Sequence, residues 1–268
     1  MHTARASIHR VMTAQNFCSE QNTLSIRLST DGFSFSILDP LAEEKLTFFS
    51  REVDPGVSLS ANLLAAFRED ERLQQTYRRV NVLVGGGRFT LLPLESFEDE
   101  LAESVFHYNL TPKANEDVRY NVLQRNNVVV VFGVDHTAAA VITDRYPEAH
   151  FFAQSSPLID FFAVKSRMGN CRKLYAFFSR DCMNVYAYDR GRLLMGNAYA
   201  CDNTDDRVYF LLYAWKQLGF EQERDELCLS GLVLDKDRLL GVLRRYVRQV
   251  YVLPQAADVD LQAVEVCV

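Results

Sequence analysis

The feature that most constrains the fold of this chain is a β-hairpin whose pattern occurs twice. In its first copy, Leu24, Ile26 and Leu28 alternate with polar residues, which is the period-two pattern of a half-buried strand. Residues 30–32 read Thr-Asp-Gly, a combination that tolerates the backbone conformation of a tight turn. Alternation resumes over residues 33–37, so the sequence predicts two antiparallel strands joined by this turn.

The same order of further elements follows each hairpin. In the first copy we predict a third strand over 45–53, a helix carrying Leu59, Leu63 and Phe67, and a short strand over 80–84. In the second copy the corresponding segments are strands at 174–178, 183–188 and 192–199, a helix at 204–218 and a strand at 227–229.

The two hairpins align without a gap at a constant offset. Leu24 then meets Leu174, Ser29 meets Ser179, Asp31 meets Asp181 and Asp39 meets Asp189. Because the offset was chosen to fit these residues, the shared order of elements is stronger evidence for a duplication than the four identities. Together they predict an internal duplication.

Patterning along the chain predicts four regions. We expect a loosely ordered N-terminus at 1–22, a first half at 23–169, a second half at 170–254 and a C-terminal tail without clear pattern at 255–268. The first half carries an insertion at about 88–127 that the second lacks, and the apolar run after it predicts a buried strand.

Composition narrows the class of protein. Hydrophobic residues make up 48% and the net charge is −6, which fits a globular protein and disfavours a broad nucleic-acid surface. The six cysteines show no C-x-x-C spacing, so neither a zinc site nor a redox motif is predicted. No apolar segment is long enough to span a bilayer. We therefore expect a cytoplasmic α/β protein that does not insert into membranes.

The duplicated unit resembles the actin-like ATPase fold, in which two ribonuclease-H-like βββαβα halves have mixed central sheets flanked by helices. The resemblance covers roughly Thr23 to Leu253. More narrowly, the segments LSIRLSTDGFSFSIL, RFTLLPLESF and LYAFFSRDCMNVYAYDRGRLLMGNAY resemble an uncharacterised bacterial family with this fold. There is also a distant similarity to the actin-like cytoplasmic assembly proteins of type IV pilus and type II secretion systems.

The resemblance implies where a nucleotide would bind. In catalytic members, the first hairpin of each half is a phosphate loop with an acidic residue for the metal, and paired glycines end the adenosine-side strand. Here Ser29 and Ser179 stand at the acidic positions; Gly32 is present in the first loop, and only Gly231 remains of the glycine pair. These departures predict a degenerate ATPase-like site without catalytic or metal-binding residues.

Two aspartates keep a nucleotide site open as an alternative. Asp31 and Asp181 lie in the two hairpin loops and are the only nearby carboxylates that could face a metal or phosphate. The competing interpretation, which we favour, is that each is a turn residue at a hairpin tip.

The two hairpins differ in one respect. One face of the first is polar, whereas the matching face of the second is aromatic; the residues are Ser25, Arg27, Ser29, Ser34 and Ser36 against Tyr175, Phe177, Tyr186 and Tyr188. A polar sheet face is either open to water or covered by something outside the repeated unit.

Two main hypotheses follow. The first is a non-catalytic actin-like protein that acts as a scaffold or assembly factor through an unidentified protein partner, with no cofactor. The second is a divergent nucleotide-binding protein or ATPase that uses ATP and Mg²⁺ in the cleft between the halves. A small-molecule-binding protein using the same cleft is a third hypothesis, and the oligomeric state is left open.

Overall fold

A computed structural model describes residues 19–29, 32–54, 56–254 and 258–267. The prediction of a loosely ordered N-terminus concerns mainly residues 1–18, which lie outside the described residues, as does Asp31.

The described part of the chain contains thirteen strands and seven α-helices. The first half contains β1 (Thr23–Ser29), β2 (Gly32–Leu38), β3 (Leu46–Glu52), α1 (Leu59–Glu69), β4 (Arg79–Val84), β5 (Phe89–Pro93), α2 (Ala102–Asn109), β6 (Glu116–Leu123), β7 (Val128–Asp135), α3 (His136–Arg145), β8 (His150–Ala153) and α4 (Ser155–Ser166). The second contains β9 (Arg172–Phe178), β10 (Cys182–Asp189), β11 (Arg192–Ala200), α5 (Thr204–Gln217), β12 (Glu226–Gly231), α6 (Lys236–Leu243), β13 (Gln249–Val252) and α7 (Val259–Cys267). No helix in this part of the chain has the length and apolar composition needed to cross a membrane.

Each half is built on a five-stranded mixed sheet with the same topology. The orders are β3-β2-β1-β4-β8 and β11-β10-β9-β12-β13, with the first three strands antiparallel and the last two parallel to the central one. The sheets therefore repeat as the sequence repeats, and the duplication is a property of the fold.

The insertion forms a third sheet, in the order β5-β7-β6, with β7 antiparallel to both neighbours. This sheet extends through Asp135, beyond the predicted end of the insertion at about residue 127. On one face, Phe106 of α2 packs with Val129 and Val131; on the other, Val130 and Phe132 join the core around α4. Coverage of both faces explains why β7 is a continuous apolar run.

The two halves exchange helices. From the first half, α4 packs on the aromatic face of the second sheet, where Phe162 stacks on Tyr175 at 4.3 Å between ring centroids. The Tyr188 hydroxyl donates to the Ile159 carbonyl at 2.8 Å. In return, α7 packs against α4 and places Leu261 and Val264 in a small apolar cluster on the first half.

Candidate functional site: the cleft between the halves

A cleft opens where the first hairpins of the two halves face each other. Its cavity has a volume of about 220 Å³. The first half contributes Arg27, Ser29, Gly32, Phe33, Ser34, Ser50, Arg51, Glu52 and Gln154, and the second half contributes Phe177, Phe178, Ser179 and Leu232.

The structure brings several of the sequence-predicted residues to this cleft. Ser29, Gly32 and Ser179 all line the cavity, and Gly231 directly precedes the lining residue Leu232. Asp181 is not among the lining residues. The interpretation of these residues as nucleotide ligands stays a prediction, since geometry alone does not test it.

Hydrogen bonds within the first hairpin engage its predicted loop residues. The Ser29 hydroxyl donates to the Gly32 carbonyl at 3.1 Å. Gly32 has φ +151°, and a Cβ there would lie 2.9 Å from the Arg51 carbonyl oxygen of β3. Glycine therefore lets β2 and β3 approach closely at the rim of the cleft.

The second hairpin loop is held from within its own half. The Ser179 amide donates to the Cys182 carbonyl at 2.9 Å. The Nη2 atom of Arg207, on α5, donates to the Ser179 and Arg180 carbonyls, both at 3.2 Å. Arg207 is 2% exposed, so a buried guanidinium fixes this loop from behind.

Gly231 has a structural reason to be glycine. Its φ is +78°, and a Cβ would lie 2.2 Å from the Phe178 carbonyl oxygen. The following amide, of Leu232, donates to that same carbonyl at 2.8 Å. The glycine thus permits the end of β12 to close onto the end of β9, beside the cleft.

Sequence reasoning placed Arg27 on the polar face of the first hairpin but did not identify it as a residue of the candidate site. Arg27 donates from Nη1 to Asp260 Oδ1 at 2.7 Å and from Nη2 to Ser34 Oγ at 2.9 Å. Its Nη2 also lies 3.3 Å from Asp258 Oδ1. Gln154 donates to the other oxygen of Asp260 at 2.6 Å. The C-terminal helix and the residue before it therefore bring two carboxylates to an arginine that lines the cleft.

This arrangement accounts for the polar face of the first hairpin. Ser25 donates to Glu265 of α7 at 2.5 Å, and Arg27 donates to Asp260 of the same helix, so these positions of β1 face the acidic residues of α7. Burial lowers the pKa of Arg27, but the charges of Asp260 and Asp258 outweigh it and raise that pKa. Burial also raises the pKa of Glu265, with the Ser25 hydrogen bond and Arg79 acting in the opposite direction.

The raised pKa of Glu265 makes stability depend on pH. Because the folded state holds this proton more tightly than the unfolded state, the free energy of unfolding falls as pH rises from the ordinary glutamate value of 4.5 through the raised folded-state pKa. We expect Glu265→Gln to reduce that fall, measured as melting temperature against pH from 4 to 8. Glu44→Gln, at an exposed position, should leave the profile unchanged. A Glu265→Gln profile identical to wild type would contradict the assignment.

The described residues contain no group of three or more His, Cys, Asp or Glu side chains that could hold a metal ion. The lining of the cleft consists of serines, two arginines, one glutamate, one glutamine and apolar side chains, together with Gly32.

Several solved structures are similar to this chain. The chain is 47% identical to a Bacteroides thetaiotaomicron protein with an actin-like ATPase fold and unknown function, with a TM-score of 0.90 over 93% of this chain and 97% of that one. It also matches the PilM-PilN type IV pilus biogenesis complex, at 10% identity and a TM-score of 0.59 over 90% of this chain and 89% of that one. The ethanolamine utilization protein EutJ from Carboxydothermus hydrogenoformans matches at 7% identity and a TM-score of 0.52, over 92% and 90%. The predicted actin-like ATPase fold is thus confirmed.

Residues 13–250 match the family model described as protein of unknown function, DUF3822. No curated protein matches the chain. Since the family match spans most of its length, the chain belongs to the DUF3822 family.

Proposed function

We propose that this DUF3822 protein is a non-catalytic actin-like protein of the cytoplasm, acting as a scaffold or assembly factor through protein–protein contacts. The observation that carries the proposal is the pairing of Arg27 with Asp258 and Asp260. A phosphate at this position would have to displace carboxylates that already satisfy the guanidinium, one of which is fully buried.

The size of the cleft supports the same proposal. Ligand pockets for small molecules and cofactors have volumes of about 300–1,000 Å³. The cavity between the hairpins, at about 220 Å³, is below that range. Serines at positions 29 and 179, where the resemblance implies a metal-facing acid, point the same way.

A role in assembly is supported by one structural neighbour. The similar PilM structure was solved in a complex with PilN, so this fold can serve as the body of a protein–protein assembly. At 10% identity the likeness concerns the fold, and it identifies no partner for this chain.

Nucleotide binding is the second candidate function. It is favoured by the convergence of Ser29, Gly32 and Ser179, from both predicted loops, on one cavity. Under this alternative, ATP with Mg²⁺ would bind between the halves with altered ligands.

A thermal-shift titration separates the two. We expect that millimolar ATP or ADP, with or without Mg²⁺, does not raise the melting temperature. The controls are MgCl₂ alone and sulfate at matched ionic strength. A ligand that binds only the folded state adds about 2.7 kcal/mol at one hundred times its dissociation constant, so binding would be visible. A Mg²⁺-dependent rise that Asp181→Ala or Ser29→Ala abolishes would overturn the non-catalytic proposal.

A further inference from the structure

The sheet of the insertion has an open edge at β6. The strand order β5-β7-β6 leaves one side of β6 without a neighbouring strand. The His136 amide donates to the Asn115 carbonyl, and the register continues through Asp117 opposite Val134. Odd-numbered residues therefore bond to β7, and even-numbered residues direct their N–H and C=O groups toward the open edge.

Partly exposed apolar side chains lie beside this edge. Tyr120 and Val122, both even-numbered, are 38% and 43% exposed. Folded proteins usually protect such edges, because unpaired backbone groups beside apolar side chains attract another strand. An edge of this kind is also the platform on which several peptide-binding domains add an extended ligand.

The groove beside the edge is acidic, with five carboxylates and one arginine, Arg119, in its lining. A cavity of about 620 Å³ separates β6 from the start of α2, and Asp99, Glu100 and Glu103 line it. Glu116 and Asp117 also line it, but these are paired with Arg88 and His136. Glu103 has a histidine neighbour, with its Oε1 atom 3.6 Å from the Nε2 atom of His107. Within the described part of the chain, no lysine or arginine forms an ion pair with Asp99, Glu100 or Glu103.

Helix capping does not explain all of these charges. Acidic residues favour the positive end of a helix, and this accounts for Glu103 in the first turn of α2. Asp99 and Glu100 precede that helix, in a single short 3₁₀ turn, and remain exposed. A side-chain hydrogen bond to Asp99 raises the pKa of Tyr120 on β6, so this carboxylate lies directly beside the edge. Because Asp99 and Glu100 are exposed, a cationic partner lying along β6 can reach both.

We propose that the β6 edge binds an extended, basic segment of a partner protein, which adds to the insertion sheet as a fourth strand. Backbone bonds to Val118, to Val122 and to the Tyr120 N–H would hold the segment, since the Tyr120 carbonyl already accepts from the Asn121 side-chain amide at 3.2 Å. Lysine or arginine side chains of the segment would face Asp99, Glu100 and Glu103. The inference rests on the proposed function, because it specifies the kind of partner that an assembly protein of this shape would take.

The test uses a fluorescein-labelled ten-residue peptide of alternating lysine and valine, titrated with the full chain and followed by anisotropy. The comparison peptides are an alternating glutamate–valine peptide and a lysine–valine peptide N-methylated at every second residue, which cannot complete a strand ladder. We expect the lysine–valine peptide to bind at least tenfold more tightly than either, and to weaken as salt rises.

Two sets of variants separate charge from strand addition. The triple change Asp99→Asn, Glu100→Gln, Glu103→Gln should weaken binding at least tenfold, whereas Glu43→Gln with Glu44→Gln, at exposed positions in the β2–β3 connection, should not.

Val122→Pro removes an outward N–H without removing a bond to β7 and should also weaken binding tenfold, whereas Val122→Thr should not. Circular dichroism confirms that each variant is folded.

Strand addition would be overturned if the N-methylated peptide bound as tightly as the lysine–valine peptide, or if Val122→Pro bound as tightly as the wild type. Selection by charge would be overturned if the glutamate–valine peptide bound as tightly as the lysine–valine peptide. These outcomes are independent of the nucleotide titration. A nucleotide-binding protein could still bind the peptide, and a non-catalytic one could fail to bind it.

Discussion

Replacing Asp260 with asparagine will lower the free energy of unfolding by about 3–5 kcal/mol, the usual cost of removing one partner from a buried ion pair. Asp260 is 0% exposed, and its two oxygens accept from Arg27 and Gln154 at 2.7 and 2.6 Å. Asparagine preserves the volume but removes the charge. Asp258, at 3.3 Å and partly exposed, compensates only in part. Urea denaturation measures the loss.

A matched control separates this effect from the general cost of removing a carboxylate. Asp205 pairs with Arg238 at 2.8 Å, but both side chains are more than half exposed. Asp205→Asn should therefore change the free energy of unfolding by less than about 1 kcal/mol. Adding Arg27→Met to Asp260→Asn should recover part of the loss, because no buried charge then lacks its partner. A loss from Asp260→Asn no larger than that from Asp205→Asn would contradict a stabilising role for this pair.

The Arg27–Asp260 pair also shows where sequence reasoning stops. Local periodicity predicted the hairpins because every second residue of β1 and β2 is apolar, and it predicted α5 from its acidic start and apolar stripe. Those signals lie within one element. Arg27 and Asp260 are 233 positions apart, and nothing near either one indicates the other.

The helix α7 was missed for a related reason. Its buried positions include Leu261 and Val264 but also Asp260, so the apolar stripe that identifies a surface helix is interrupted. The polar face of β1 was visible in the sequence and showed that something polar or solvent must cover it. Only the three-dimensional arrangement shows that the chain's own C-terminal segment does so.

The strand β7 shows that a sequence pattern can predict a buried strand without predicting which strands pair with it. A continuous apolar run predicted a buried strand correctly, but runs of this kind are most typical of parallel strands in a central sheet. The strand is instead antiparallel to both neighbours in the insertion sheet. Its run is apolar because α2 and α4 cover its two faces. An apolar run indicates that both faces of a strand are covered, but it does not indicate which elements cover them or whether the neighbouring strands are parallel.

The second large effect is expected at Gly231, where alanine should lower the free energy of unfolding by about 3 kcal/mol or more. A left-handed backbone costs a residue with a Cβ about 1–2 kcal/mol, and overpacking of a filled core costs about 1–3 kcal/mol more. Both apply, since φ is +78° and the new Cβ would lie 2.2 Å from the Phe178 carbonyl oxygen. Backbone cannot move aside as a flexible side chain can, so β9 and β12 must separate.

Two other glycines serve as controls for this prediction. Gly219 has φ +62° with nothing within 4 Å, so Gly219→Ala should show the backbone cost alone, about 1–2 kcal/mol. Gly241 lies within α6 in open space, so Gly241→Ala should stabilise the protein by about 1 kcal/mol through helix propensity. If Gly231→Ala cost no more than Gly219→Ala, the close approach at Phe178 would not matter for stability. A larger loss would show that this glycine is required by the strand contact beside the cleft, with or without a nucleotide to bind.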